Sequence, residues 1–324
     1  MLAIDGNGEG ERDGGGDDDS DERTARAPHL VRPAGWWSMI ADTFSPRALA
    51  PGGAVRVRWL GTAGFAIEHA GVVVLIDPYV TRASLRRCLL ERLVPDAAAV
   101  ARHAPRADVI IAGHTHFDHA LDIPAIALRT GATVFGSRSA VALCRGSGVP
   151  AARVRDVERA PGGEPVVAEV GPFQLRFLPS AHSPLMLGRV PFPGDIADCD
   201  QIPLRAERYR CGAVFAVEIR VAGRHLVHLG SAELVEASFD RKEPDLLLLC
   251  VAGWTASRDF PERVARALSP RAVLLSHWDN FFLPLDRPAV ALPAMQGARL
   301  TERLGRASRD TKIGVLPLLG ELWI

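Results

Sequence analysis

The sequence predicts an α/β domain built from two packed β-sheets with helices outside, and three observations carry that expectation. From residue 54 to the end, short apolar runs alternate with longer helix-like stretches. The strand-like runs fall into two groups separated by helices, which suits layered sheets. Of the 324 residues, 48% are hydrophobic, enough to bury a sizeable core. Periodicity alone does not choose this sandwich over other α/β folds.

Taken in order, strands are expected at 54–60, 63–69, 72–76, 107–112, 132–135 and 153–156, and then at 164–170, 173–178, 213–220, 224–229, 245–250, 271–276 and 313–323. Helices are expected near 82–103, 121–129, 137–146, 258–268 and 290–304. No linker interrupts this region, so 54–324 reads as one catalytic domain. Residues 1–28 read as a separate disordered tail: Asp5 to Glu22 holds nine acids against one base, Arg12, and cannot bury apolar surface. Residues 29–53 include Trp36, Trp37, Met39 and Ile40 and read as an N-terminal segment that packs on the domain.

The chemistry is concentrated in Ile111-Ala-Gly-His-Thr-His-Phe-Asp-His-Ala120. Three of the chain's ten histidines and an aspartate lie within six residues, just after an apolar strand. Neutral imidazoles and carboxylates are ligands for zinc and similar divalent ions. In an extended segment His114 and His116 point to one side and can reach one ion, and the loop beyond can bend Asp118 and His119 towards a second. More distant ligands come from other strand ends: His182 follows 173–178 and His277 closes the run at 271–276. Each alone is a weak signal; together they outline a cradle on rigid elements.

On these residues the chain resembles the metallo-β-lactamase superfamily. Val55–Phe65 looks like the family's opening strand and glycine turn, Val72–Tyr79 its second strand ending in an Asp, and His114-Thr-His-Phe-Asp-His119 its signature. The spacing and His277 are most similar to the branch holding ascorbate-phosphate lactonase and the phospholipase D that acts on N-acyl phosphatidylethanolamine. The resemblance implies a four-layer αβ/βα sandwich of two mixed sheets with outer helices. It also implies that His114, His116 and His182 hold a first metal and Asp118, His119 and His277 a second, with Asp118 catalytic. One departure stands out: Ser231 in Arg224–Leu234 occupies the place of the usual bridging Asp. The site is then mononuclear, weakly dinuclear, or completed by Asp279 or Glu233.

One or two divalent ions, zinc first with Mn2+ or Fe2+ as alternatives, imply a metal-bound hydroxide as nucleophile. Neither a G-x-S-x-G elbow nor a P-loop offers another route. The expected activity is a metal-dependent hydrolase of a small molecule, a lactone or other carboxylic ester, with a phosphodiester second. An iron-dependent oxidoreductase and a non-catalytic metal-binding protein are the remaining classes. Asp77 is expected to orient a ligand histidine or to cap the Asp-Pro turn. His225 and His228 read as structural. The loop after His182 reads as a pocket wall, with Arg189 for an anionic group and Phe192 and Met186 for an apolar one; Asp195, Asp198 and Asp200 read as solvated or structural.

Zero net charge and the lack of a basic stripe exclude nucleic acid as the expected partner. No run reaches the roughly 18 apolar residues of a spanning helix, and no secretory leader is visible. Five scattered cysteines without a C-x-x-C pair read as reduced thiols of a cytoplasmic protein. Homo-oligomerisation stays open.

Overall fold

Strand β3 (Val72–Ile76) shows how the layers are made, because its side chains alternate between two cores. Val74 and Ile76 join one apolar cluster and Val73 and Leu75 the other. The strand is apolar throughout because both of its faces are covered. The computed structural model describes residues 54–158, 163–185, 188–197 and 202–324. The expected tail (1–28) and packing segment (29–53), and the residues Met186, Asp198, Cys199 and Asp200, lie outside them.

The first sheet has the order β14-β1-β2-β3-β4-β5-β6. It comprises β1 (Arg56–Gly61), β2 (Gly64–His69), β3, β4 (Val109–Ile111), β5 (Thr133–Gly136), β6 (Val154–Asp156) and β14 (Glu321–Trp323). The second has the order β13-β12-β11-β10-β9-β8-β7. Its strands are β7 (Val166–Val170), β8 (Phe173–Pro179), β9 (Phe215–Val221), β10 (Arg224–Leu229), β11 (Leu246–Cys250), β12 (Ala272–Ser276) and β13 (Lys312–Gly314). Both sheets are mixed. Pairing is parallel from β3 to β6 and from β10 to β13, and antiparallel in the other halves.

The core between the sheets includes Val57, Phe65, Val74 and Ile111 from the first and Leu175, Val217, Leu226 and Leu248 from the second. Outside the first sheet lie α1 (Leu85–Leu90), α2 (Ala97–His103), α3 (Phe117–Ala120), α4 (Ile123–Thr130) and α5 (Arg138–Gly146). Their apolar residues, such as Val100, Ile126 and Leu143, join Ile110 and Val134 in the second cluster. Helices α6 (Phe260–Leu268) and α7 (Gly297–Ala307) pack through Val264, Leu268, Leu300 and Leu304 with the core of the second sheet. The result is the four-layer αβ/βα sandwich.

Three expected elements differ. The helix at 82–103 is two helices, because Pro95 cannot donate an internal hydrogen bond and pushes Val94 to an extended conformation. Asp96 then starts α2 by accepting from the amides of Ala98 and Ala99. The stretch 313–323 supplies strands to both sheets, divided by a turn closed from Gly320 N–H to Pro317 O at 2.9 Å. The helix expected at 290–304 begins only at Gly297. Before it, the chain runs alongside the loop after β12, with Leu292 N–H donating to Trp278 O at 2.8 Å.

Candidate metal centre

The C-terminal ends of β3, β4, β10, β11 and β12 open onto one edge of the sandwich, where ligand-bearing loops of α/β sheets gather. Asp77 ends β3, His114 follows β4, Ser231 follows β10 and His277 follows β12. His182 follows β8 at the same edge. The structure brings all six expected ligand residues together. Ligand-type atoms of His114, His116 and His182 lie within 4.8 Å of one another, as do those of Asp118, His119 and His277. Asp77, His114 and His119 form a third such group, so the clusters run into one another.

The hydrogen bonds show which ring nitrogens are left for a ligand. His116 Nε2 donates to Pro191 O at 2.8 Å and His182 Nδ1 to Ser183 O at 2.8 Å, so Nδ1 of the first and Nε2 of the second keep their lone pairs. His119 Nδ1 lies 3.0 Å from Asp77 Oδ2, which frees its Nε2. Both nitrogens of His114 and Nδ1 of His277 are buried with no hydrogen-bond partner among the described residues. Buried unpaired imidazole nitrogens are costly unless something binds them. A metal ion is the partner this donor set fits.

Charge follows the same division. Burial, then the neighbouring histidines, hold His114 well below the usual imidazole range. Burial also lowers His116, against the attraction of Asp118. His182 is pushed down to about 3 by burial and by His116. These three rings are neutral near pH 7 and present lone pairs. For Asp118 the burial that would raise its pKa is outweighed by His119 and His277, which hold it well below the carboxylate range. Its Oδ2 lies 3.2 Å from His277 Nε2. Burial lowers His119, but Asp77 and Asp118 outweigh it and raise the ring.

Asp77 is fully buried and accepts from Gly113 N–H at 2.6 Å as well as facing His119. It therefore orients a ligand-type histidine in the way carboxylates support metal-binding imidazoles. Two glycines make room for it: a Cβ on Gly113 would come within 2.9 Å of Asp77 Oδ2, and one on Gly230 within 2.7 Å. Asp77 and His277 both adopt positive φ, 45° and 58°, a backbone conformation unfavourable for these residues that recurs at functional sites.

Ser231 is buried at the centre's edge and its Oγ accepts from Ser183 N–H at 3.1 Å. Neither carboxylate expected as a substitute is free to replace a bridging Asp. Asp279 accepts from Thr62 N–H through Oδ1 and pairs through Oδ2 with the buried Arg82 at 2.6 Å. Glu233 pairs with Arg263. His228 Nε2 donates to Ala63 O at 2.9 Å, and His225 lies 2.8 Å from Glu218, so both sit in structural roles. Asp195 accepts from Ser139 Oγ at 3.0 Å, also a structural contact.

A cavity of about 390 Å³ opens beside the cluster. The loop after His182 contributes Leu185, Pro191 and Phe192 to it. Arg189, expected to bind an anionic group, is exposed and does not line it: its guanidinium lies in water outside the cavity wall. Several contributors escaped the sequence, among them Ala252–Thr255 after β11. Phe281 and Leu292–Met295 come from the loop after β12, whose signal was a Pro- and aromatic-rich stretch directly following a ligand. Thr115 points away from its histidine neighbours, and its Oγ1 donates to Arg210 O while its amide donates to Cys211 O. Asp122, fully buried, accepts from the amides of Val80 (2.6 Å) and Thr81 (2.8 Å) and fixes the loop after β3 beneath the cluster.

Comparison with known proteins agrees with this geometry. Residues 56–277 match the β-lactamase superfamily domain. With its two seven-stranded mixed sheets and flanking helices, the chain belongs to the metallo-β-lactamase superfamily. Over 267 residues it is 25% identical to a UPF0173 metal-dependent hydrolase of Myxococcus xanthus, an alignment covering 82% of this chain and 85% of that protein. Among solved structures it is similar to Igni18, a metallo hydrolase of Ignicoccus hospitalis, with a TM-score of 0.52 and 18% identity over 83% of this chain and 98% of that one. It is also similar to CmlA, a diiron β-hydroxylase of Streptomyces venezuelae, with a TM-score of 0.54 and 15% identity over 85% of this chain and 55% of that one. At these identities the two structures share the fold. Among the described residues no helix is long and apolar enough to cross a membrane.

Proposed function

We propose that the protein is a metal-dependent hydrolase of a lactone or other carboxylic ester, with the six clustered residues as metal ligands and Asp118 as the catalytic carboxylate. The observation that carries this reading is the convergence of imidazole lone pairs left free by hydrogen bonds on the opposite nitrogens. A bound divalent ion supplies Lewis acidity for the substrate's carbonyl oxygen and acidifies a water. Asp118, ionised and facing the cavity, would orient such a water or take its proton. Asp77 keeps His119 in the tautomer that offers Nε2.

Among the described residues, the side chains near the cluster supply no competing nucleophile. Ser183 Oγ donates to Ala252 O at 3.3 Å, and Ser231 has no base beside it among its hydrogen bonds. Burial pushes the Cys250 thiol well above its ordinary range, so it does not ionise near neutral pH. No Arg or Lys stands among the described residues lining the cavity, so a phosphodiester would have only the bound ions to meet its charge, whereas an ester needs no further cation.

Elemental analysis of the purified protein, followed by assay on ester and lactone panels, tests this reading. Hydrolysis should vanish with chelator and return when zinc or manganese is restored. Turnover by metal-free protein would overturn it, and so would bound iron with oxygen uptake in place of hydrolysis.

A further inference from the structure

We propose that the cavity takes an uncharged substrate whose apolar arm lies between Phe192 and the Leu292–Met295 segment, so that the loop carrying Phe192 sets specificity. This rests on the hydrolase reading for the reaction, but its evidence is the wall of the cavity rather than the cluster. Beyond the ligand-type residues, the described lining holds Ser231, Thr255 and Cys250 as polar or thiol side chains, and Trp254, whose Nε1–H is already used on Met295 O at 2.6 Å. Ser231 Oγ accepts from Ser183 N–H, and no side chain of the described lining away from the cluster carries a positive charge. A carboxylate or phosphate on the far end of a substrate would be desolvated there without a cationic partner.

The mouth is also apolar. Leu185 and Phe192 are 45% and 36% exposed, and both line the cavity. Leu185 has a prepared seat: a Cβ on Gly253 would come within 2.5 Å of its δ-methyl. Phe192 stands edge-on to His116, ring centroids 6.3 Å apart.

Hydrogen bonds hold this loop in a fixed relation to the cluster. Pro191 O accepts from His116 Nε2, and Phe192 O accepts from Cys211 N–H at 2.9 Å. Cys211 O in turn accepts from Thr115 N–H at 2.9 Å, between the two histidines of the motif. The position of Phe192 is thereby tied to the ring that faces the substrate's reacting end. The volume, about 390 Å³, lies near the lower end of the ~300–1,000 Å³ of small-molecule pockets. It suits one short acyl chain or ring rather than a two-chain lipid.

The test is calorimetric binding of straight-chain hydroxamic acids, from acetyl to octanoyl, to the metal-loaded protein. The metal-seeking head stays constant while the neutral arm lengthens. Affinity should rise roughly threefold to fourfold per methylene and then level off as the cavity fills. In Phe192→Ala the ratio of hexanoyl to acetyl affinity should collapse. The mono-hydroxamate of adipic acid, whose arm ends in a carboxylate, should bind at least tenfold more weakly than the hexanoyl compound. A flat series, no binding, or equal affinity for the carboxylate-ended arm would overturn the proposal. A rising series with no hydrolysis of any ester would leave this inference standing and sink the hydrolase reading.

Discussion

His114, His116 and His182 offer a possible ion only neutral rings, whereas Asp118, His119 and His277 offer a carboxylate and a histidine backed by another carboxylate. In the first set the spare nitrogens of His116 and His182 rest on backbone carbonyls, Pro191 O and Ser183 O. In the second, His119 rests on Asp77, and His277 faces Asp118 directly. The first set is thus fixed by chain geometry and kept neutral by burial, while the second is fixed by charge. Ser231 sharpens the contrast, since it denies the second set the extra carboxylate that Asp279 and Glu233, committed to Arg82 and Arg263, do not replace. An ion in the first set should therefore be the tighter of the two.

The strongest way to break this comparison is to remove one ring from each set. His116→Ala should lower metal affinity at the first set by roughly 1,000-fold or more, beyond the ~10–100-fold that loss of an outer partner typically costs. His277→Ala should spare the first ion and release only the second. Metal content per chain after exhaustive dialysis checks both, and equal content in His116→Ala and the parent would remove the basis for the first set.

Much of this cluster was legible because its ligand-type residues sit next to strand ends that the sequence marks clearly. The run Val109–Ile111 is apolar on both faces, so the segment after it had to emerge at a sheet edge, carrying His114 and His116 in the loop and Asp118 and His119 on the short helix α3 that the sequence did not mark. His182 and His277 stood in the same relation to β8 and β12. The cavity wall was less legible. Leu292–Met295 read as helix because its apolar spacing resembles one; the pairing of Leu292 with Trp278, which overrides that tendency, is a contact between residues distant in a loop. The fate of Asp279 was hidden for the same reason, since Arg82 lies almost two hundred positions away in sequence.

Arg82 offers a second test, aimed at the second set. Its guanidinium lies over Gly61, where a Cβ would clash at 1.7 Å, and pairs with Asp279. Asp279 holds Thr62 N–H, and Thr62 O accepts from His277 N–H at 2.7 Å, so this buried pair braces the loop that carries His277. Arg82→Met would leave a buried carboxylate uncompensated, at a cost of about 3–5 kcal/mol. The thermal midpoint should fall by roughly 10 °C. Metal at the first set should survive in the folded fraction, and an unchanged melting curve would show that the pair does not brace the loop.

Acid should separate the two sets by a smaller but more diagnostic amount. A metal ion competes with protons for each ring. His114 and His116 are lowered and His182 is pushed to about 3, so protons compete less for these rings and the first set's affinity should change less than the second's as pH falls from about 8 to about 5. His119 is raised above the ordinary imidazole value by Asp77 and Asp118, although burial opposes them. Below that raised value the metal-free protein carries a proton on His119 that the ion must displace, so the second set should weaken by up to about tenfold per pH unit. The same shift has a consequence for folding of the metal-free chain. Stabilisation from the protonated His119 is fully present below the unfolded histidine value of about 6.5 and is lost as pH rises through the raised value. Competition against a chromophoric chelator at several pH values measures both affinities. The expected result is a shallower line for the tight ion and a slope approaching one proton for the weak one; equal slopes would show that the carboxylates do not distinguish the two sets.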